Sequence, residues 1–170
     1  MTSQPIGGLT DLEGTQLKML LGKLGQPWDR ELNELLLGHL PASTIELVVL
    51  RNNATEVLLT WREPEAGDPW PEVLHLPGTV IRIKDGGKEG ALHRLARSEL
   101  GCGLLTWQKR FDHDHEGGGR PLTLQNVYTA TIAPAANKKG EWYPVEDLPD
   151  DLLELHVRLI RAAVLMVKNS

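Results

Sequence analysis

The sequence predicts an α/β fold in which a mixed β-sheet is sandwiched between helices, with a helical extension at the N-terminus. Two observations lead to this prediction. Runs rich in β-forming residues dominate the chain from Ile45 onward, and helical periodicity appears before, within and after them. With 170 residues, the chain is long enough for one domain with a substantial core. We therefore divide it into an N-terminal helical extension, residues 1–44, and a main domain, residues 45–170.

The extension carries leucines at helical spacing between Asp11 and Leu40, interrupted at Gly25-Gln26-Pro27 and ended by Pro41. This pattern predicts two short amphipathic helices. Their apolar faces have two candidate partners, the core of the same chain or a second copy in a homodimer. Packing onto the same chain is the favoured interpretation, because helices commonly cover a sheet.

The main domain begins with two β-rich runs, 45–50 and 56–61, which predict a strand pair around the turn-forming Asn52-Asn53-Ala54. The proline-rich segment 64–71 predicts a loop. The other predicted elements are a broken extended run (73–83), a helix (88–100), two strands (104–111 and 122–132), a polar turn (112–120) and a final helix capped by Asp150 or Asp151. Strands interrupted by one helix and closed by another predict the sandwich.

Charge and composition limit the classes of partner. The net charge is −5, from 18 basic and 23 acidic residues, so the chain lacks the broad cationic surface that a nucleic acid polymer requires. The single cysteine, Cys102, rules out an internal disulfide. No charged leader followed by an apolar stretch and no long apolar span occurs. We expect a soluble, cytoplasmic protein that binds neither nucleic acid polymer nor membrane.

One acidic residue of the central helix breaks the expected pattern. On a helical wheel, Leu92, Leu95 and Ala96 form one apolar stripe, and Glu99 falls in its middle. Burying an unpaired carboxylate is costly, and the helix dipole disfavours negative charge at this end. Glu99 is therefore predicted to serve a metal or an active site, with a solvated or ion-paired glutamate as the alternative.

The glycine-rich turn Asp85-Gly86-Gly87 precedes the same helix. Backbone amides at a helix N-terminus can bind phosphate. Paired glycines are also the commonest way to make such a turn, so a glycine turn capped by Asp85 is the favoured interpretation.

The segment from Leu76-Pro77-Gly78 to Glu99-Leu100-Gly101, residues 76–101, resembles the Nudix box, and we call it the box. Aligned on Gly101, Arg94 matches the arginine of the family pattern and Glu99 matches its last glutamate. Three other glutamate positions hold different residues, which are Gly86, Leu95 and Ser98. The resemblance implies the Nudix fold and, in active members, metal-dependent hydrolysis of a nucleoside diphosphate linked to another group.

The box is most similar to the variant found in GDP-mannose mannosyl hydrolases, because Arg94-Leu95 is followed after three residues by Glu99-Leu100-Gly101. In that branch the glutamate matching Glu99 binds magnesium, and the substrate is a nucleotide sugar. The branch also uses a Gln-His pair, and the aligned region 136–138 has neither residue.

Candidate site residues follow from the box and from the polar run 113–116. The run is a concentrated source of imidazole and carboxylate, although a solvated hairpin tip is the favoured interpretation. Under the resemblance, the predicted metal is Mg²⁺ or Mn²⁺. The predicted metal ligands are Glu99 and Asp85, the catalytic residues are His113, His115 and Glu89, and the substrate contacts are Gly78, Arg94 and Trp70.

Two functions from different classes remain open. The first is a magnesium-dependent hydrolase of a nucleoside diphosphate derivative such as a nucleotide sugar. The second is a catalytically inactive Nudix-fold protein that binds a nucleotide-type ligand or a protein partner. Glu99 and the Arg94-Leu95 pattern favour the first, whereas Gly86 and the missing Gln-His pair favour the second.

Overall fold

The computed structural model describes residues 9–23, 41–62, 72–117, 120–133 and 140–170. The chain divides into two compact units, Met1–Leu36 and Leu37–Ser170, and each is described by itself. Three predicted features lie outside the described residues: the second N-terminal helix, the break at Gly25-Gln26-Pro27 and the proline-rich loop 64–71.

The N-terminal unit contains helix α1, Asp11–Lys23, which confirms the first of the two predicted helices. It begins at a capping box formed by Thr10 and Glu13. The Thr10 N–H donates to the Glu13 carboxylate at 2.8 Å, and the Glu13 N–H donates to the Thr10 hydroxyl at 3.4 Å. This reciprocal pair satisfies backbone donors that the first helical turn cannot satisfy itself.

The described residues of the main unit form seven strands and two helices. The strands are β1 Ala42–Arg51, β2 Glu56–Trp61, β3 Leu74–His75, β4 Gly78–Val80, β5 Leu104–Gly117, β6 Arg120–Ile132 and β7 Glu141–Pro144. The helices are α2 Lys88–Leu95 and α3 Glu154–Lys168, with a 3₁₀ turn at Ile83–Asp85 and a π-helical turn at Ala96–Leu100.

The strands form a mixed sheet in the order β3-β2-β1-β6-β5, with β4 paired to β1 and β7 paired to β2. β1 and β6 run parallel, and the other pairs are antiparallel. The predicted turn between β1 and β2 is confirmed, because Asn52, Asn53 and Ala54 all adopt positive φ, at 52°, 55° and 61°.

Alternating residues of β1 supply the two halves of the core. Ile45, Leu47 and Val49 belong to a buried cluster that also contains apolar residues of α2. Val48 and Leu50 belong to a second cluster with apolar residues of α3. Successive side chains of a strand point to opposite faces, so α2 covers one face of the sheet and α3 the other. The predicted sandwich is confirmed.

Two predicted element boundaries are wrong. Residues 112–120 do not form a polar turn, because β5 continues to Gly117 and His113 and His115 pair with Gln125 and Thr123 of β6. The sequence of a half-exposed edge strand with polar side chains resembles that of a turn. Only the pairing with a partner strand distinguishes the strand from the turn. Helix α3 begins at Glu154 after Leu153, so neither Asp150 nor Asp151 caps it.

Among the described helices, none combines the length and the apolar character needed to cross a membrane.

Candidate functional site

The start of the box is held from three sides. The Leu76 N–H donates to His156 Nδ1 at 2.9 Å, and the His75 Nδ1–H donates to the Leu76 carbonyl at 2.7 Å. The Leu47 N–H donates to the Pro77 carbonyl at 2.9 Å. Each bond involves a buried residue of the sheet or of α3. The first residues of the box are thus fixed by the core.

Gly78 closely approaches the Glu46 side chain of β1. A Cβ atom at position 78 would lie 2.6 Å from the Glu46 Oε2 atom, closer than van der Waals contact permits. The sequence predicts a substrate contact at Gly78. Its lack of a side chain already has a structural reason, and the substrate role stays a prediction.

Arg94 holds the box loop in one shape. Its Nε and Nη2 atoms donate to the two carboxylate oxygens of Asp85, each at 2.8 Å. Nη1 also donates to the Thr79 hydroxyl, and Nη2 to the Val80 carbonyl, both at 2.8 Å. A guanidinium group binds a carboxylate with two parallel bonds of this kind more strongly than a neutral donor does. Arg94 is predicted to contact substrate, and in this structure its hydrogen bonds are made to the box loop.

Asp85 is the partner around which the loop closes. Its side chain is only 4% exposed, and its Oδ2 atom accepts a further bond from the Arg82 N–H at 2.8 Å. The hydrogen bonds from Arg94 lower the pKa of Asp85 to about 2. The predicted capping role is wrong, because Gly87 occupies the N-cap of α2. The predicted glycine turn is present, with positive φ at Gly86 and Gly87.

A metal ion at Asp85 would have to compete with Arg94 for the carboxylate, because both oxygens already accept bonds from the guanidinium. Glu89, the predicted assisting residue, is exposed and lies 3.9 Å from the His93 ring. Within the described part of the chain, no three His, Cys, Asp or Glu side chains converge on one point. The described residues therefore do not fit a metal centre built from several carboxylates.

Glu99 lies beside the apolar stripe. Leu92, Leu95 and Leu100 are buried, whereas Glu99 is half-buried. The wheel assumes a regular α-helix, but residues Ala96–Leu100 form a π-helical turn, in which each residue advances by a smaller angle. Leu100 takes the core position that the wheel assigns to Glu99. Within the described residues, no hydrogen bond or ion pair occupies the Glu99 carboxylate.

His113 and His115 lie on the other face of the sheet from Glu99. Phe111 packs against the core on the α3 side, and its partner Val127 belongs to that core. His113 and His115 follow Phe111 at intervals of two residues and share its face. Glu99 belongs to the segment that packs on the α2 face. The general-base role of either histidine stays a prediction, and its cooperation with Glu99 has no support in this geometry.

A buried polar cluster on the α3 side was not foreseen. It contains Glu46, His75, Gln125 and His156, each less than 9% exposed. A charged residue inside the otherwise apolar run 45–50 was the available signal. Its partners could not be found from sequence, since they are contributed by three other elements.

Two surface cavities of about 570 and 390 Å³ are lined by residues outside the box. The larger lies between the β1–β2 turn and the end of α3, and the smaller lies beside β7. Trp70, the predicted base-stacking residue, and the region 136–138 lie outside the described residues.

Solved structures share this architecture. The Nudix domain of NrtR from Shewanella oneidensis, in complex with ADP ribose, superposes with a TM-score of 0.61 at 17% identity, covering 94% of this chain and 99% of that one. A Nudix hydrolase from Nitrosomonas europaea gives 0.60 at 13% identity, covering 73% of this chain and 88% of that one. A MutT Nudix hydrolase from Burkholderia pseudomallei gives 0.58 at 19% identity, covering 73% and 98%.

No protein-family model matches the sequence, and no curated protein matches it. The similarity is thus one of architecture: a mixed sheet between two helices, with a loop and helix at the position of the box. The protein has the fold of the Nudix hydrolases.

Proposed function

We propose that this protein binds a nucleotide-type ligand carrying a diphosphate, and that its box attracts the phosphates with basic side chains, whereas active Nudix boxes hold a metal ion with carboxylates. The observation that carries the proposal is the charge of the box. Residues 76–101 contain five basic and three acidic residues, in a chain whose net charge is −5. A local excess of positive charge attracts phosphate without needing a metal ion to neutralise it.

The positions of these side chains support the proposal. Lys84, Lys88 and Arg97 are exposed, and Arg82 is half-exposed. Arg94 neutralises Asp85 within the loop, so the box keeps its shape without a metal ion. The ADP ribose bound by the Shewanella oneidensis NrtR domain makes that compound a suitable first probe.

Isothermal titration calorimetry with ADP ribose tests the proposal. We expect binding to persist in the presence of EDTA and to weaken about tenfold in Lys84→Gln/Lys88→Gln, since each lost cation removes an attraction to phosphate. Lys168→Gln is the matched control, because Lys168 is an exposed lysine of α3 outside the box. Absence of binding by the wild type to ADP ribose and to a nucleotide sugar would refute the proposal.

A second candidate function is a hydrolase that uses a single metal ion at Glu99. The half-buried Glu99 carboxylate, without a described partner, favours it. A magnesium titration by calorimetry should then give binding in the wild type and none in Glu99→Gln. Incubation with nucleotide sugars, followed by assays for phosphate and free sugar, measures turnover directly. Ligand binding without turnover and without magnesium dependence would refute the hydrolase and support ligand binding as the function.

A further inference from the structure

The buried cluster beneath the box has more acceptors than donors. The Thr44 hydroxyl and the Gln125 amide donate to Glu46 Oε1 at 3.3 and 3.4 Å. The Gln125 Oε1 atom has no hydrogen-bond partner among the described residues. Among the described residues, no hydrogen bond reaches Glu46 Oε2, so a carboxylate at position 46 is short of donors, whereas a carboxylic acid supplies one itself. Buried polar groups without partners are costly, so the cluster favours the acid.

His156 cannot supply a positive charge while its ring accepts a hydrogen bond from Leu76. His156 Nδ1 accepts from the Leu76 N–H, so its proton lies on Nε2, which is 3.8 Å from Glu46 Oε2. His75 donates from Nδ1 to the Leu76 carbonyl, and its Nε2 lies within hydrogen-bond distance of the Thr60 hydroxyl, at 3.2 Å. The His156 ring is therefore neutral in this arrangement.

Other charged groups do not reverse this balance. Arg62, at the end of β2, attracts the Glu46 carboxylate, but burial has the larger effect and raises the pKa of Glu46 to about 8. Burial, with smaller contributions by repulsion from His75, Arg62 and His115, lowers the pKa of His156 to about 3. β6 contributes Gln125, which is uncharged.

The start of the box covers this acid directly. Glu46 Oε2 lies where a side chain on Gly78 would begin, and Leu76 is tied to His156 on α3. An ionised Glu46 needs donors or water, and at 8% exposure it gains full hydration only if the covering residues move. We propose that Glu46 is a pH-sensitive latch: when it is protonated, residues 76–78 pack over it, and when it ionises, they are released.

The latch does not depend on which ligand the box binds, so its test is separate from that of the proposed function. Its consequence is local. Above about pH 8 the start of the box opens while the sheet stays folded, and any ligand that contacts Gly78 binds more weakly there.

Hydrogen exchange of the Leu76 amide, followed by NMR, tests the latch. We expect the protection factor of Leu76 to fall about tenfold more than that of Ala130, in the β1–β6 pairing, between about pH 7 and pH 9. In Glu46→Gln the ratio of the Leu76 and Ala130 protection factors should stay constant with pH, because glutamine has the shape of the acid and cannot ionise. Glu154→Gln, which removes an exposed carboxylate of α3, should behave as the wild type.

The same pH dependence in Glu46→Gln as in the wild type would overturn the latch. A direct titration of the Glu46 side-chain carboxyl by ¹³C NMR in the wild type gives an independent answer. A midpoint near pH 8 supports the latch, and a midpoint near the ordinary value of 4.5 overturns it whether or not the variant folds.

Discussion

Two acidic residues close to the box occupy opposite electrostatic environments. Asp85 is buried beside the Arg94 guanidinium, which neutralises its charge through two bonds of 2.8 Å. Glu46 is buried among neutral groups, with imidazole, hydroxyl and amide as its neighbours. The pKa of Asp85 falls to about 2, and the pKa of Glu46 rises to about 8.

The contrast shows that burial alone does not determine the charge of a carboxyl group. A cation with suitable geometry keeps the Asp85 carboxylate charged, and the loop closes around the ion pair. Without such a cation, the Glu46 carboxyl group keeps its proton, and the loop start packs over a neutral acid. The charge of Asp85 therefore stays constant near neutral pH, whereas the charge of Glu46 changes there.

The largest effect is expected at Gly90, where α2 packs against the backbone of Asp85. A Cβ atom at this position would lie 1.9 Å from the Asp85 carbonyl oxygen. Gly90→Ala should lower the free energy of unfolding by about 3 kcal/mol, because backbone must move to relieve the overlap. Urea denaturation measures this loss. Gly103→Ala is the matched control, since a Cβ atom there would meet nothing within 4 Å; equal losses in both variants would contradict the explanation.

The second-largest effect is expected in the pH dependence of the free energy of unfolding, which distinguishes Glu46 from Asp85. Between pH 4.5 and about 8 the folded state holds a proton on Glu46 that the unfolded chain has lost, so stability falls as pH rises. His156 opposes this between about pH 3 and 6.5, because the unfolded chain takes up a proton that the folded state excludes. The net fall should therefore appear from pH 6.5 to about 8 and amount to about 2 kcal/mol.

Denaturant unfolding at a series of pH values measures this fall, and Glu46→Gln should abolish it. If the free energy of unfolding of Glu46→Gln still falls with pH above pH 6.5 as it does in the wild type, another group is responsible for the fall.

Removing Arg94 tests the other half of the comparison. Arg94→Ala leaves Asp85 buried without its cation and should cost about 1.5 kcal/mol at neutral pH, a value reduced because the Arg94 side chain is 22% exposed. The lowered pKa of Asp85 contributes stability above its ordinary value of 3.8, and this contribution is lost as pH falls through about 2. The difference between wild type and variant should shrink in acid. Thermal unfolding at neutral and acidic pH, with Asp85→Ala and the double variant, measures the coupling between the pair.

The smallest effect is expected at Glu99, which is half-buried and has no described partner. Glu99→Gln should change the free energy of unfolding by less than about 0.5 kcal/mol, as is usual for a side chain outside the core. Urea denaturation of Glu99→Gln, measured in parallel with Glu46→Gln, gives this change in the free energy of unfolding. A loss above about 1 kcal/mol would show that Glu99 has a structural partner after all.

Several features were predictable because they depend on neighbours along the chain. The strand pair 45–61, the turn at Asn52-Asn53-Ala54 and the helices at 88 and 154 follow from periodicity and turn-forming residues. The position of Glu99 was missed because the helix widens into a π turn, and a wheel assumes a constant angle. The extent of β5 was missed because its polar residues gain their order from β6.

The sequence by itself determined the fold class, since this depends on residue types and their spacing, and the same spacing predicts the resemblance of residues 76–101 to a Nudix box. Only the tertiary structure decided the state of each remaining acid. Arg94 reaches Asp85 across the loop, and Glu46 meets groups from β6 and α3 that are up to 110 positions away. The charge of a buried group depends on what surrounds it in space, and the order of residues in the chain does not specify those surroundings.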